Sequence, residues 1–470
     1  MTEYDVVVIG AGAVAENVAD RVVQGGLTAV LVESELVGGD CSYWACMPSK
    51  ALIRSGIALR AAQRVGGTKE AVTGELDVAA VLARRNSFTH DWDDQSQVDW
   101  VEGAGISLAR GHGRLSGVRE VTVTAADGTT TVLRAKHAVV VATGSDPLLP
   151  DIPGLIEANP WTPRDATSAQ SAPASLAIIG GGVVAVEMAT AYASFGTAVT
   201  ILARSGLLRN EEDFVGDLVA AGLRDLGVVI RHDSPTRVER SEDGVALYVG
   251  DEAILAEEVL VATGRTPRTT DIGIDVVGGK PGDWLEVDDT LLVTGTDWLY
   301  STGDANHRAL FTHQGKYQAR AAGDVIVARA LGTTVDDAPW GVHVATADHA
   351  AVPRVTFSEP EVASVGLSSD QAREAGHDIR VVDYDLGSVA GASLQADGYE
   401  GKARMVVDEK RHVLLGVTFV GQDVSELLQA ATIAIVGEAP IERLWHAVPA
   451  YPTMNEIWLR LLEGYGRPKA

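Results

Sequence analysis

The sequence predicts an α/β fold in three parts, two doubly wound parallel-sheet domains and a smaller C-terminal α+β domain, on three observations. A short apolar run leads into a glycine-rich turn and a helix near the start of the chain. The same pattern recurs near residue 176, and the stretch after about residue 345 alternates strands with a helix but carries no such turn. A chain of 470 residues is also too long for one hydrophobic core and divides into several domains.

The first unit begins with Tyr4-Asp5-Val6-Val7-Val8-Ile9, an apolar run of the kind found in buried parallel strands. Gly10-Ala11-Gly12-Ala13-Val14-Ala15 follows at once, the G-x-G-x-x-G/A fingerprint of Rossmann-like dinucleotide-binding domains. Gly10 makes the tight turn, Gly12 lets backbone approach a pyrophosphate, and Ala15 is small enough for the helix to pack on the strand. A second strand, Ala29-Val30-Leu31-Val32, ends in Glu33, placed to bond a ribose hydroxyl. Further on, Ala138-Val139-Val140-Val141-Ala142-Thr143-Gly144 reads as another buried strand and turn, and six prolines with Gly154 between 145 and 175 mark a domain boundary.

The second unit repeats the first. Leu176-Ala177-Ile178-Ile179 leads into Gly180-Gly181-Gly182-Val183-Val184-Ala185, with Gly180, Gly182 and Ala185 in the fingerprint positions. Glu33 lies 23 residues after Gly10, and the same step from Gly180 reaches Ala203, which is not an acid. Arg204 follows and Arg209 lies five further on, so a carboxylate is lost and two guanidinium groups are gained, which suits a 2′-phosphate. NADPH is therefore expected here, with NADH the alternative. A second Ala-Thr-Gly turn, Ala262-Thr263-Gly264, closes this unit. Leu299-Tyr300-Ser301-Thr302-Gly303-Asp304 reads as a strand ending in an exposed acid before a helix from about Thr312 to Ala330. The expected domains are thus 1–150 with 265–340, then 151–264, then 345–470.

The only two cysteines, Cys41 and Cys46, lie five positions apart in Gly38-Gly39-Asp40-Cys41-Ser42-Tyr43-Trp44-Ala45-Cys46-Met47-Pro48-Ser49-Lys50. On a regular helix that step is a rise of about 7.5 Å, more than the ~5.5 Å between Cα atoms that a disulfide prefers. The backbone is expected to bend between them, with a helix starting near Pro48, because proline is tolerated in a first turn. Thiols at a helix N-terminus have lowered pKa values and react as thiolates, so the pair is read as redox-active.

The formal charge of −26 argues against nucleic acid, whose phosphates would be repelled. No run reaches the ~20 apolar residues of a membrane span, and the start lacks the basic flank and apolar core of a signal peptide. A cytoplasmic compartment is expected, where a close cysteine pair is more often catalytic than structural. No metal-ligand spacing stands out.

In this order the motifs resemble the FAD-containing pyridine nucleotide–disulfide oxidoreductases, a family that includes glutathione reductase, dihydrolipoamide dehydrogenase and mercuric reductase. The likeness runs through nearly the whole chain. It implies FAD on the first fingerprint, with Gly39, Thr143, Gly144 and Asp304 also at the flavin nucleotide. The nicotinamide nucleotide falls on the second fingerprint, with Gly264 nearby, and the last segment is a homodimerisation domain. Cys46 is implied as the flavin-proximal thiol, Cys41 as the thiol that meets the substrate, and Lys50 as the partner of Glu187. The expected activity is transfer of electrons from NADPH through FAD and the Cys41–Cys46 pair to a small disulfide or thiol-reactive acceptor. A reductase of quinones, dyes or oxygen acting directly from the flavin, and a non-catalytic redox-sensing flavoprotein, are the alternatives left open.

Two departures bear on substrate. Where the disulfide reductases carry a His-Pro-Thr motif, this chain has Tyr451-Pro452-Thr453, although Glu456 is kept. Tyrosine, with a pKa near 10 against about 6.5 for histidine, is a poor base but a proton donor. His313, at the start of the helix after Asp304, is a second candidate for proton transfer. Mercuric reductase uses an additional C-terminal cysteine pair, which this sequence lacks, so mercury handling by that route is not expected.

Overall fold

The computed structural model describes residues 2–467, and the chain divides into two compact units. Of the described residues, those up to 48, 86–148 and 265–348 form the first, and 49–85, 149–264 and those from 349 on the second.

The first unit is built on a seven-stranded sheet. Strand β1 (Thr2–Ile9) lies parallel to β2 (Ala29–Glu33) on one side and to Thr130–Val141 on the other. Ser107–Arg110 extends the sheet beyond β2, and Leu299–Ser301 pairs in parallel with Val139–Val141. Helix α1 (Ala13–Gln24) makes the crossover from β1 to β2. Side chains alternate across a strand, and both faces here are covered. Val6, Val8 and Leu31 pack with Val18 and Val22 of α1 and with Ala319 and Val325 of the helix Thr312–Leu331. Val7, Ile9 and Val30 face the opposite way, against Leu115, Val121 and Trp298. That is why β1 reads as an unbroken apolar run rather than an alternating one.

The cysteine segment bends as the spacing requires. Helix α2 (Gly39–Tyr43) ends before Trp44 and Ala45, whose N–H groups both fall on the Asp40 carbonyl at 2.8 and 2.6 Å, and α3 (Cys46–Gln63) begins anew. The second helix therefore starts at Cys46 itself, two residues before the position expected from Pro48, which sits within the first turn.

In the second unit, four parallel strands run in the order Val229–Arg231, Ala198–Leu202, Ser175–Ile179 and Glu258–Val261. The helix Val183–Ser194 packs Val186 and Ala189 on Leu176 and Ile178, and Leu52 and Ile53 of α3 join the same core. Beside it, residues 354–421 form a five-stranded antiparallel sheet. Its apolar face, including Met405, Val417 and Phe419, is covered by Leu428 and Ala431 of the helix Leu428–Val436 and by Ile457 and Leu461 of the helix Glu456–Tyr465. The helix Leu428–Val436 is preceded by a 3₁₀ turn at Val424–Leu427. Among the described residues no helix is long and apolar enough to cross a membrane.

Candidate redox site

The glycine turn of the first unit has no room for a side chain. Gly10 adopts φ +105°, and a Cβ there would lie 2.5 Å from the Ala142 carbonyl oxygen. Gly39 adopts φ +62°, and its Cβ would lie 2.8 Å from the Gly12 Cα. The two backbones meet without side chains between them at the N-terminus of α1, where Gly12 caps the helix with no side-chain acceptor. The first-turn N–H groups of such a helix carry partial positive charge and suit a pyrophosphate.

Glu33 closes the far side of the turn. Its Oε2 accepts from the Ala11 N–H and its Oε1 from the Glu35 N–H, both at 2.7 Å, while burial pushes its pKa up. Both oxygens thus have backbone donors, an arrangement that the sequence does not signal. Thr143 Oγ1, and Ser301 Oγ and Thr302 Oγ1 at the end of a neighbouring strand, are buried without a hydrogen-bond partner among the described residues. Asp304 stands in a 3₁₀ turn, where its Oδ2 accepts from Ser145 Oγ at 2.5 Å and lies 3.6 Å from Arg265 Nε. Arg265 also reaches Asp40 Oδ2 at 3.3 Å. Ser145 and Arg265 were missed in the sequence because nothing local marks them. Each is brought to Asp304 across more than 30 residues of chain.

Cys41 and Cys46 stand as two half-buried thiols. Cys41 departs from the expectation of lowered thiol pKa values. The Cys46 thiol within hydrogen-bonding reach, and then burial, push it well above the usual thiol range, against weaker lowering by Thr312 and Lys316. Two adjacent thiols cannot both ionise cheaply, so the pair releases its protons in separate steps. Thr312, the first residue of its helix, sets Oγ1 3.3 Å from Cys46 Sγ, a contact across 266 positions that no motif announces. His313 stacks on Phe311 with ring centroids 5.4 Å apart. Tyr43 is buried, with its ring edge-on to Trp44 at a centroid distance of 5.8 Å.

In the second unit, Lys50 Nζ lies 2.8 Å from Glu187 Oε2, and Glu187 Oε1 accepts from the Phe357 N–H at 3.1 Å. The second glycine turn mirrors the first. Gly180 has φ +125°, with a Cβ position 2.2 Å from the Ala262 carbonyl oxygen, and Gly182 caps the following helix, in which Ala185 is fully buried. Gly264 follows at φ +152°. Arg204 and Arg209 are exposed on the loop after the strand Ala198–Leu202. Beside them is a cavity of about 260 Å³ whose lining includes Ser205, Leu208, Arg209, Asp217, Arg224 and His232.

Tyr451 is 76% exposed, whereas Glu456 is buried. Glu456 Oε1 accepts from Arg460 and its Oε2 is buried without a hydrogen-bond partner among the described residues. Tyr451 and Glu456 make no hydrogen bond to one another among those described. No group of three or more potential metal ligands occurs among the described residues.

Residues 4–324 match the family model described as pyridine nucleotide-disulphide oxidoreductase, and residues 352–461 match the dimerisation domain of that family. Mercuric reductase from Shigella flexneri is 32% identical over 463 residues, covering 96% of this chain and 79% of its own. Mercuric reductase from Acidithiobacillus ferrooxidans is 31% identical, covering 97% and 81%. Dihydrolipoyl dehydrogenase from Chlamydia pneumoniae is 29% identical, covering 97% and 95%. The fold matches that of the HOCl-induced flavoprotein disulfide reductase RclA from Escherichia coli, with a TM-score of 0.82 at 24% identity over 98% of this chain and 99% of that one. Its Cu(II) complex gives 0.84 at 23% identity over the same shares. With the family model matched over more than half of its length and relatives above 30% identity, the chain belongs to the pyridine nucleotide–disulfide oxidoreductases, enzymes that use FAD and NAD(P)H.

Proposed function

We propose that the protein is an NADPH-dependent flavoenzyme that reduces a small disulfide or other thiol-reactive molecule through Cys41 and Cys46, working as a homodimer. The observation that carries this reading is the thiol pair at the break between α2 and α3, in the same unit as the glycine turn that fits a dinucleotide. The residues present suit FAD. The Gly12–Gly39 approach leaves a backbone cradle that a Cβ would fill, and Thr143 and Thr302 hold buried hydroxyls without partners. Gly10, Gly12, Ala15, Gly39, Thr143, Gly144 and Asp304 would hold the cofactor, with Glu33 bracing the turn. Gly180, Gly182, Ala185 and Gly264 would hold the nicotinamide nucleotide, with Arg204 and Arg209 on its 2′-phosphate. When bound, FAD supplies a two-electron link between nicotinamide and thiol chemistry.

The chain's own groups then do the following. Cys41 loses its proton as it attacks one sulfur of the acceptor, forming a mixed disulfide while the S–S bond of the acceptor breaks and the expelled thiolate takes up a proton. Cys46 then attacks Cys41 Sγ, releasing the second acceptor thiol and leaving Cys41–Cys46 oxidised. Thr312 Oγ1 offers a hydrogen bond to Cys46 as its charge develops. Lys50, anchored by Glu187, supplies a fixed cation. With tyrosine at position 451, the groups proposed to deliver a proton to the leaving thiolate are the Tyr451 hydroxyl, reaching Cys41 across the homodimer, or His313.

Replacing Cys41 by serine tests the reading. Abolished NADPH-dependent disulfide reduction, with a dithiol gained per subunit when the wild type is reduced anaerobically and alkylated, supports it. Undiminished turnover of a quinone or dye by C41S, together with no disulfide reductase activity in the wild type, would instead support a reductase acting directly from the flavin.

A further inference from the structure

The loop that carries Arg204 and Arg209 is held at both ends. At its start, Gly206 N–H bonds the Ala203 carbonyl at 2.9 Å, and Leu208, in the left-handed region at φ +48°, donates to the Gly181 carbonyl at 2.8 Å. Contact with the glycine turn is close enough that a Cβ on Gly181 would lie 2.3 Å from the Gly206 carbonyl oxygen. At its end, two successive carboxylates leave the loop for the antiparallel sheet of the same unit. Glu211 Oε1 accepts from Arg354 Nε at 3.0 Å and its Oε2 from Ser364 Oγ at 2.7 Å. Glu212, 5% exposed, accepts from Ser369 N and Oγ at 2.7 and 2.8 Å and from Arg404 Nη1 at 2.9 Å. Arg404 is itself fixed by a two-point pair with Asp383 at 2.7 and 2.9 Å.

A buried carboxylate with three charged or polar donors does not move without losing all of them. The exposed arginines between these anchors stand on a backbone whose position is set from the C-terminal segment. We propose that Glu211 and Glu212 are positioning residues for nucleotide selection, tying the Arg204–Arg209 loop to Arg354, Ser364, Ser369 and Arg404 so that discrimination for the 2′-phosphate depends on the C-terminal segment. The inference rests on the NADPH reading given above. Long, flexible arginine side chains on a loose loop lose more entropy on ordering around a phosphate than those on a pre-set loop.

The test uses the FAD-loaded enzyme with dichlorophenolindophenol as acceptor, and the variants R404Q, E212Q and S364A. A rise of about five- to tenfold in KM for NADPH is expected, the lower range of site-to-site coupling, with kcat at saturation and KM for NADH within about twofold. Calorimetric Kd values for adenosine 2′,5′-bisphosphate should rise by the same factor, while those for adenosine 5′-monophosphate stay level. If R404Q does not fold, S364A and E212Q decide, since both keep Arg404. Unchanged values in the folded variants, or equal rises for both nucleotides, overturn the inference. The double variant R204Q/R209Q separates the two levels. If it leaves NADPH binding unmoved, the NADPH reading fails; if it weakens that binding while the anchor variants do not, only the positioning role fails.

Discussion

Lys50 and Glu187 form an ion pair of unequal burial: Nζ and Oε2 are 2.8 Å apart, with the lysine side chain 35% exposed and the glutamate side chain 4% exposed. The carboxylate is further held by the Phe357 N–H at 3.1 Å, and the ammonium lies 4.9 Å from the Phe357 ring centroid. Removing the cation leaves a buried charge with one backbone donor, whereas neutralising the acid leaves an amide that still meets the lysine. Lys50→Met is therefore expected to lower unfolding stability by about 1–3 kcal/mol, discounted for the exposed lysine, and Glu187→Gln by less. Chemical denaturation measures both, and equal losses would show that the carboxylate is not dependent on its partner.

Thr312 is the hydroxyl that meets Cys46. Thr312→Val keeps the shape of the side chain and removes the hydrogen bond, so the thiol pair should ionise at higher pH. The rate of iodoacetamide alkylation of the reduced protein should fall several-fold at pH 8 and recover at higher pH, by analogy with the cost of one hydrogen bond to charge. A pH profile that does not shift would mean that the 3.3 Å contact carries no share in thiolate stabilisation.

Glu16, one turn into α1, is buried, with Oε1 lacking a partner, and burial pushes its pKa up to about 7, against a lowering by Lys316. A carboxyl whose pKa is raised on folding favours the folded state fully below its unfolded value of 4.5, and that advantage is lost as pH rises through 7. Glu16→Gln should match the wild type at pH 4 and be more stable at pH 9 by up to about 3 kcal/mol. Thermal unfolding across this range checks the sign, and a variant that is less stable at pH 9 would refute the assignment.

Gly39→Ala places a methyl 2.8 Å from the Gly12 Cα, at a residue with φ +62°. The neighbouring backbone has to retreat from the helix N-terminus that would bind the pyrophosphate. Purified G39A is expected to retain less than about a tenth of its flavin, a cost of roughly 1.4 kcal/mol or more, as read from the ratio of visible to ultraviolet absorbance. Full flavin content would remove the close approach from the account of cofactor binding.

Much of the fold is legible from local pattern. The apolar runs at 4–9 and 176–179, each followed by its glycines, are specified by steric demands within a few residues, and the bend between Cys41 and Cys46 follows from helical rise alone. The proline at 48 and the acid at 304 are read in the same way. Function follows as far as the family because these motifs recur in a definite order, which is a property of sequence.

The partners of those residues are a different matter. Thr312 at Cys46, Ser145 at Asp304, Phe357 at Glu187, and Arg354 and Arg404 at the arginine loop all come from sequence separations of more than 100 residues, and Arg265 reaches Asp304 from 39 residues away. Cys41 shows the consequence, since a helix N-terminus predicts a lowered thiol while the packed neighbour and burial raise it. Local sequence determined the turns, strands and helices, because backbone sterics and side-chain periodicity act within a few residues. Only the tertiary structure decided which distant donors and charges surround each reactive group, because those contacts depend on how packed elements bring remote chain together.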